Sequence, residues 1–598
     1  MRTSIATVSL SGSLTEKLTA ASRAGFDGVE IFENDLLASP LTPEEIRARC
    51  ADLGLSIDLY QPMRDVEALP EGEFARALCR ARHKFELMER LGADTVLVCS
   101  SVSPHALDDD ALAAEQLSRL AGLAEDHGVR VAYEALAWGR HISTYDHAWR
   151  VVETAGHPAL GTCLDSFHIL SRGSDPKGIE DIPGEKIFFL QLADAPLLAM
   201  DVLQWSRHYR CFPGQGGFDV AGLVRHVLRA GYDGPLSLEV FNDVFRQSEA
   251  GPTAVDARRS LLTLQETVGL AAPPAPAPPT GIAFAELVTP DAAPVSAVLG
   301  ALGFTRTARH RGKPVDLWQH GDARVLVNTG PAERRDGTRL AAVGLESPDP
   351  AGAARRAEAL LAPVLPRRRA PGDAAPEAVA APDGTELFFC ATGRPGLPDW
   401  RADFEDVARP THHGGPWRVD HLSLTQPWHQ FDEAALFHRA VLGLRPQESV
   451  DVADPYGLLR SRAVSTDDGA VRIVLTVGPA PTDGTAHAQH IALATDDVVA
   501  AARRYRAAGG APLPIPANYY DDLAARFEFA DGELETYREL GILYDRDAHG
   551  TFRHCYTHTV GRVFFELVQR DGGYRGYGAA NAPVRLAAQH AVRGFTGG

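Results

Sequence analysis

The sequence predicts an α/β TIM barrel followed by an α+β domain of tandem βαβββ modules, and three observations lead there. Up to Leu270, eight short β-branched and apolar runs alternate with amphipathic stretches, the pattern of strand-helix units that close into a barrel. A Pro/Ala tract without apolar periodicity, Ala271–Thr280 (AAPPAPAPPT), then interrupts the chain as a semi-rigid extended spacer. Beyond it the pattern changes to short strands with occasional helices and repeats itself. The expected boundaries are 1–270 for the barrel, 271–280 for the linker and 281–598 for the second domain, itself in two halves, 281–400 and 415–590.

The eight runs are, in order, IATVSL, GVEIFE, LSIDLYQP, DTVLVCSS, VRVAYEA, LGTCLDSFH, KIFFLQLAD and PLSLEVF. Helical periodicity fills the intervals, as in Glu44–Leu53, Phe74–Leu91 and Leu112–His127, with turn or capping residues such as Thr42 and Pro43 at starts and Gly at ends. An open doubly wound sheet is the alternative, but no Gly-rich dinucleotide turn follows the first strand. The composition is that of a globular protein: 598 residues, 45% hydrophobic and 23% charged. Lys+Arg 59 against Asp+Glu 78 gives a net charge of −19, so no basic footprint points to nucleic acid or an anionic membrane. MRTSIATVSL lacks a basic segment followed by a long apolar core, and no run of about 18 apolar residues occurs. The expectation is a cytoplasmic protein with a small-molecule partner, self-association being left open. Its seven cysteines have no CxxC spacing and read as reduced structural thiols.

In a barrel, polar residues at the carboxyl ends of strands face the mouth. Glu134 closes VRVAYEA, Asp165 closes GTCLD, Gln191 sits in FFLQLAD and Glu239 closes LSLEV. Three carboxylates converging there repel one another, whereas a hard divalent cation reverses that sign and accepts oxygen donors from all four. The set therefore points to a metal site.

These strand ends resemble the xylose isomerase-like barrel superfamily. QPMRDVEALP (Gln61–Pro70), LDSFHIL (Leu164–Leu170), WSRHYRCFPGQGGFD (Trp205–Asp219) and SLEVFNDVFR (Ser237–Arg246) narrow the resemblance to bacterial 3-dehydroshikimate dehydratases. The resemblance implies a lyase that forms protocatechuate and water from 3-dehydroshikimate in quinate and shikimate catabolism. It implies Glu134, Asp165, Gln191 and Glu239 as ligands of Mg, Mn or Co, with Arg64, His168, Ser206 and Arg210 lining the substrate site. The chemistry is consistent with that set. The leaving hydroxyl is β to a ring ketone, so a proton must leave the carbon between them, and a Lewis acid stabilises the resulting enediolate. Aromatisation then drives the reaction. Glu134 and Glu239 are thus catalytic candidates as well as ligands. His168, three residues after Asp165, is the expected acid or base, with a hydrogen bond to a ligand carboxylate as the bland reading. Arg64 and Arg210 offer planar forks for the substrate carboxylate.

After the spacer, IAFAELVTP (Ile282–Pro290) parallels VDHLSLTQP (Val419–Pro427), the helix before LGF (Leu302–Phe304) parallels that before LGL (Leu442–Leu444), AVGLESPD (Ala342–Asp349) parallels HIALATDD (His490–Asp497), and DGTELFF (Asp383–Phe389) roughly parallels VGRVFFEL (Val560–Leu567). Such duplication resembles the vicinal oxygen chelate superfamily. VDHLSL, LGILYDRD (Leu540–Asp547) and FFELVQRDGGYRGYGAAN (Phe564–Asn581) further resemble 4-hydroxyphenylpyruvate dioxygenases. In the second half His421, His490 and Glu566 form a two-histidine, one-carboxylate set suited to iron(II) or another divalent metal, whereas the first half offers Phe284, Ala342 and Phe388 and reads as structural. The dioxygenases' substrate-facing Asn is replaced near Thr476 and their Gln near His554, while Ser461 is retained, so hydroxyphenylpyruvate is not the expected substrate of this domain. Two rival readings stay open: a sugar isomerase or epimerase on the same metal barrel, and a non-enzymatic binding or scaffold protein.

Overall fold

The computed structural model describes residues 1–330, 337–366, 373–374, 376–409, 417–478 and 488–596. Residues 415–416, the expected start of the metal-binding half, lie outside them. The chain divides into two compact units, Met1–Ala272 and Pro273–Gly598. Among the described residues no helix is long and apolar enough to cross a membrane.

The first unit is a closed parallel barrel of eight strands in sequence order. These are β1 (Thr3–Ala6), β2 (Gly28–Phe32), β3 (Ser56–Arg64), β4 (Thr95–Cys99), β5 (Arg130–Glu134), β6 (Leu160–Asp165), β7 (Ile187–Leu192) and β8 (Leu236–Leu238). Their near-continuous apolar runs arise because parallel strands are covered on both faces. Leu59, Leu97, Cys99, Ala132, Cys163 and Phe189 form one small buried cluster. A far larger one gathers the remaining strand residues with the helices around them. Helix starts follow the capping signals: Ser13 with Glu16 and Thr42 with Glu45 each form a reciprocal capping box. Gly25 and Gly92 terminate helices at φ +85 and +79, where a side chain would be strained.

Two strand ends differ from the sequence expectation. β1 stops at Ala6, and residues Thr7–Ser9 turn as a short 3-10 segment because the Ser9 hydroxyl is drawn aside to accept the Val240 amide at 2.9 Å. β8 stops at Leu238, so Glu239 stands just past it, held by its own amide donating to the Leu192 carbonyl at 3.2 Å.

The second unit contains two eight-stranded mixed sheets. Each pairs two βαβββ modules, so the repeat seen as two halves is fourfold. In the first half the modules open with the antiparallel pair Gly281–Val288 and Arg339–Glu346; in the second they open with Arg418–Thr425 and Gln489–Ala494. The ladders match residue for residue. Phe284 lies opposite Gly344, itself beside Phe388, and Ala342 lies opposite Glu286. In the second half His421 lies opposite Ala492, itself beside Glu566, and His490 lies opposite Ser423. The register thus makes Phe284, Ala342 and Phe388 the counterparts of His421, His490 and Glu566.

Candidate functional site

At the barrel mouth β5, β6 and the segment after β8 bring Glu134, Asp165 and Glu239 together, all nearly inaccessible to solvent. Donor atoms of Glu134, Asp165 and His168 lie within 4.8 Å of one another. Each acid is held on one side. The Cys99 thiol donates to Glu134 Oε2 at 3.5 Å, while Glu134 Oε1 is buried and has no hydrogen-bond partner. Asp165 caps the short helix Ser166–Ser171, its Oδ1 accepting the amides of Phe167 at 2.6 Å and His168 at 3.1 Å. Burial, then the charges of Asp165 and Glu239, push the Glu134 carboxyl well above the usual range. Burial also lifts Glu239, to about 7, against the opposing pull of Arg210. Asp165 goes the other way: burial raises it, but Arg210, His168 and the capping amides outweigh burial and hold it low. This excess of buried negative charge and one orphaned carboxylate oxygen fit a divalent cation.

Arg210 is where the structure departs most from expectation. It is 1% exposed, and its guanidinium is committed rather than open to a substrate. Nη1 donates to Asp165 Oδ2 at 2.7 Å and Glu239 Oε2 at 3.1 Å, Nε and Nη2 donate to the Ser206 hydroxyl at 3.1 and 2.9 Å, and Nη2 lies 3.2 Å from His168 Nε2. The cause is electrostatic: a buried cation beside unpaired acids is claimed by them. Ser206 likewise serves as Arg210's acceptor. Arg64 is the exposed cation at the mouth, at the end of β3, and its charge reaches Glu239 and His168. The loop after it is tightly built. Asp65 and Ala68 sit at φ +53 and +54, strained for residues with side chains, and Asp65 Oδ1 accepts the Val102 amide at 3.0 Å and the Ser101 hydroxyl at 3.2 Å.

His168 is met by donors on both ring nitrogens: its Nδ1 accepts the Ala137 backbone N–H at 3.0 Å, and Arg210 Nη2 lies 3.2 Å from Nε2. Burial, with Arg210 and Arg64 adding to it against Asp165, lowers its pKa to about 3, so the ring is neutral here. Gln191 lies beside Asp165 in the ladder, but its carboxamide turns across the barrel to donate to Glu30 Oε2 at 2.6 Å, leaving Oε1 to the Cys163 thiol at 3.6 Å. A thiol is a weak donor that a cation can displace. Glu30 and Ala137 were missed. For Glu30 the signal was present, an acid inside the apolar run GVEIFE.

In the second unit His421 Nε2, His490 Nε2 and Glu566 Oε2 form a triangle with all three edges 3.2 Å. Three ligands at right angles with bonds of about 2.1 Å would span edges of about 3.0 Å, so the set fits one face of an octahedral ion. Partners behind two of the ligands, His421 and Glu566, fix their free atoms. His421 Nδ1 faces Asp420 Oδ1 at 2.8 Å, and Asp420 is held by Arg570 and Arg472. Burial raises Asp420, yet His421 and Arg570 override it and keep the carboxyl far below its ordinary value. The Asn581 amide donates to His554 Nε2 at 2.9 Å, so His554 Nδ1 carries the proton that meets Glu566 Oε1 at 2.6 Å. His554 thus stands behind a ligand, a role that the sequence reading, which made it a substrate-facing position, did not foresee. Thr476 and Ser423 line a cavity of about 30 Å³ beside His490, bounded by Arg585, Leu586 and Gln589 of the helix Ala582–Thr596. Ser461 pairs with Thr476 across the ladder.

The comparisons agree with this division. Residues 18–266 match the xylose isomerase-like TIM barrel model, 274–342 the amino-terminal hydroxyphenylpyruvate dioxygenase model and 418–534 the glyoxalase/bleomycin resistance protein/dioxygenase superfamily model. The chain is 44% identical to a 3-dehydroshikimate dehydratase of Pseudomonas putida and 45% identical to one of Pseudomonas aeruginosa, covering 99% of each chain in both cases. A solved xylose isomerase-like TIM barrel/4-hydroxyphenylpyruvate dioxygenase fusion protein is 43% identical, with a TM-score of 0.90 over 99% of this chain and 100% of that one. A 4-hydroxyphenylpyruvate dioxygenase of Pseudomonas aeruginosa is 27% identical over 50% of this chain and 90% of its own.

Proposed function

Because the chain belongs to the 3-dehydroshikimate dehydratase family, we propose that its barrel removes water from 3-dehydroshikimate to give protocatechuate. The observation that carries this reading at the site is the buried convergence of Glu134, Asp165 and Glu239, with one carboxylate oxygen left unpartnered. A sugar isomerase could use the same acids but has no need of a cation such as Arg64 for a carboxylate. A divalent cation held by Glu134, Asp165, Gln191 and Glu239 supplies Lewis-acid charge beside the ketone. Mg, Mn and Co are the candidates.

The residues divide the remaining work. Glu134, raised by burial and by the charges of Asp165 and Glu239, takes the proton from the carbon between the ketone and the leaving hydroxyl and returns it to the departing hydroxyl. His168, buried at the same mouth, is the neighbouring polar group where charge gathers on oxygen. Water leaves as the β C–O bond breaks, and tautomerisation gives the aromatic ring. Arg210 balances the acids while Arg64 receives the substrate carboxylate from the solvent side. The test is a rise of protocatechuate absorbance when purified chain meets dehydroshikimate; no rise in metal-replete protein would overturn the assignment. Arg64→Lys keeps the charge but loses the fork and is expected to lower kcat/KM about tenfold, mostly through KM. An unchanged KM would move the carboxylate site elsewhere.

For the second unit we read His421, His490 and Glu566 as holding one divalent ion, iron(II) among the candidates. Metal analysis should find one fewer ion per chain in His421→Ala, and an oxygen electrode should record no uptake with 4-hydroxyphenylpyruvate. Robust homogentisate formation would defeat the second expectation. We read the chain as acting in the cytoplasm, in catabolism of quinate and shikimate.

A further inference from the structure

Glu30 is the acid that the reaction above does not use. It lies in the middle of β2, is 0% exposed and has no cationic partner among the described residues. Its carboxylate is saturated with neutral donors. Oε2 accepts Gln61 Nε2 at 2.6 Å and Gln191 Nε2 at 2.6 Å, and Oε1 accepts the Ser237 hydroxyl. A buried acid without a counter-charge is costly, and an apolar residue there would serve the barrel core better. Its partners explain its presence. Gln191 is one of the four ligand candidates. One carboxylate oxygen therefore holds two carboxamides by their nitrogens, which forces the Gln191 carbonyl oxygen to the opposite side and leaves it only the Cys163 thiol.

We propose that Glu30 is a positioning residue for the barrel metal: it fixes which end of the Gln191 amide is offered to the ion. The proposal rests on reading Glu134, Asp165, Gln191 and Glu239 as ligands. Its content is acceptor geometry. Without an acceptor at residue 30 the Gln191 amide can turn its NH2 to the mouth, a donor where the ion needs an oxygen. Glutamine can supply that acceptor, its oxygen taking both amides and its NH2 facing the Ser237 hydroxyl.

The test is cobalt(II) affinity by chelator competition, with the cobalt absorption spectrum, in full chains that carry His421→Ala so that only the barrel site is read. Glu30→Met should bind the ion about 10–100-fold more weakly with an altered spectrum, the range seen when a residue behind a ligand is lost. Glu30→Gln should stay within about threefold of the parent, a rescue that loss of core packing alone would not produce. At saturating metal the KM for dehydroshikimate in Glu30→Met should be unchanged. Parental affinity and spectrum in a folded Glu30→Met overturn the proposal, as does equal weakening in Glu30→Gln. If Glu30→Met does not fold, Glu30→Ala decides by the same measurements: weaker binding supports the proposal, and parental binding overturns it. A parent that takes up no cobalt, or in which Glu134→Ala changes nothing, overturns the ligand reading itself.

Discussion

Glu134→Ala is expected to abolish protocatechuate formation, by about 10³-fold or more, without unfolding the barrel. It removes a buried carboxylate oxygen at the mouth that has no hydrogen-bond partner, and with it a proposed ligand and the proposed proton acceptor. The fold should tolerate the loss. Asp165 and Glu239 both raise the Glu134 carboxyl by repulsion, so deleting it relieves strain, and the melting temperature should stay level or rise. EDTA should reproduce the loss of activity in the wild-type chain. Added Mg, Mn or Co should restore it there but not in Glu134→Ala. Full turnover in thoroughly stripped protein would defeat the metal reading.

Arg210→Met should cost nearly as much activity and, unlike Glu134→Ala, should cost stability too. It leaves Asp165 and Glu239 without the guanidinium that now bridges them. Breaking a buried ion pair from one side typically costs about 3–5 kcal/mol, because the remaining charge stays buried. The effect should depend on pH. Asp165 is held below its ordinary value, so its contribution is present above the unfolded carboxylate range and is lost as pH falls through the lowered folded value. Urea melts of chelated protein should therefore show the two chains diverging near neutrality and converging below about pH 4. A constant gap across that range would mean that Arg210 acts through packing against Phe167 and Phe241 rather than charge.

How much of this was legible follows from where each property is encoded. The eight barrel strands could be read because parallel strands need apolar residues on both faces, and Glu134, Asp165 and Glu239 stood out as acids ending such runs. The facial triad could be read from two histidines and a glutamate at matching places in a repeat. What could not be read depends on contacts between distant segments. That Arg210 spends its fork on Asp165 and Glu239 reflects two loops and a strand meeting in space. That the backbone N–H of Ala137 meets His168 Nδ1 has no sequence signature. His554 looked like a substrate position until Asn581 was seen to orient it toward Glu566. Glu30 is the exception, since an acid inside GVEIFE carried the same signal as the acids at the later strand ends.

The matched ladders of the second unit have one more consequence. Its first half builds the same curled sheet with Phe284, Ala342 and Phe388 where the other half has ligands, so cross-strand pairing and apolar packing suffice to make that shape. An ion bound by His421, His490 and Glu566 would then be a tenant rather than a keystone, unlike the metal of small domains that are unfolded without it. On that reading a cell short of the metal would still make this domain in its finished form, and scarcity would be felt as lost occupancy rather than as lost protein.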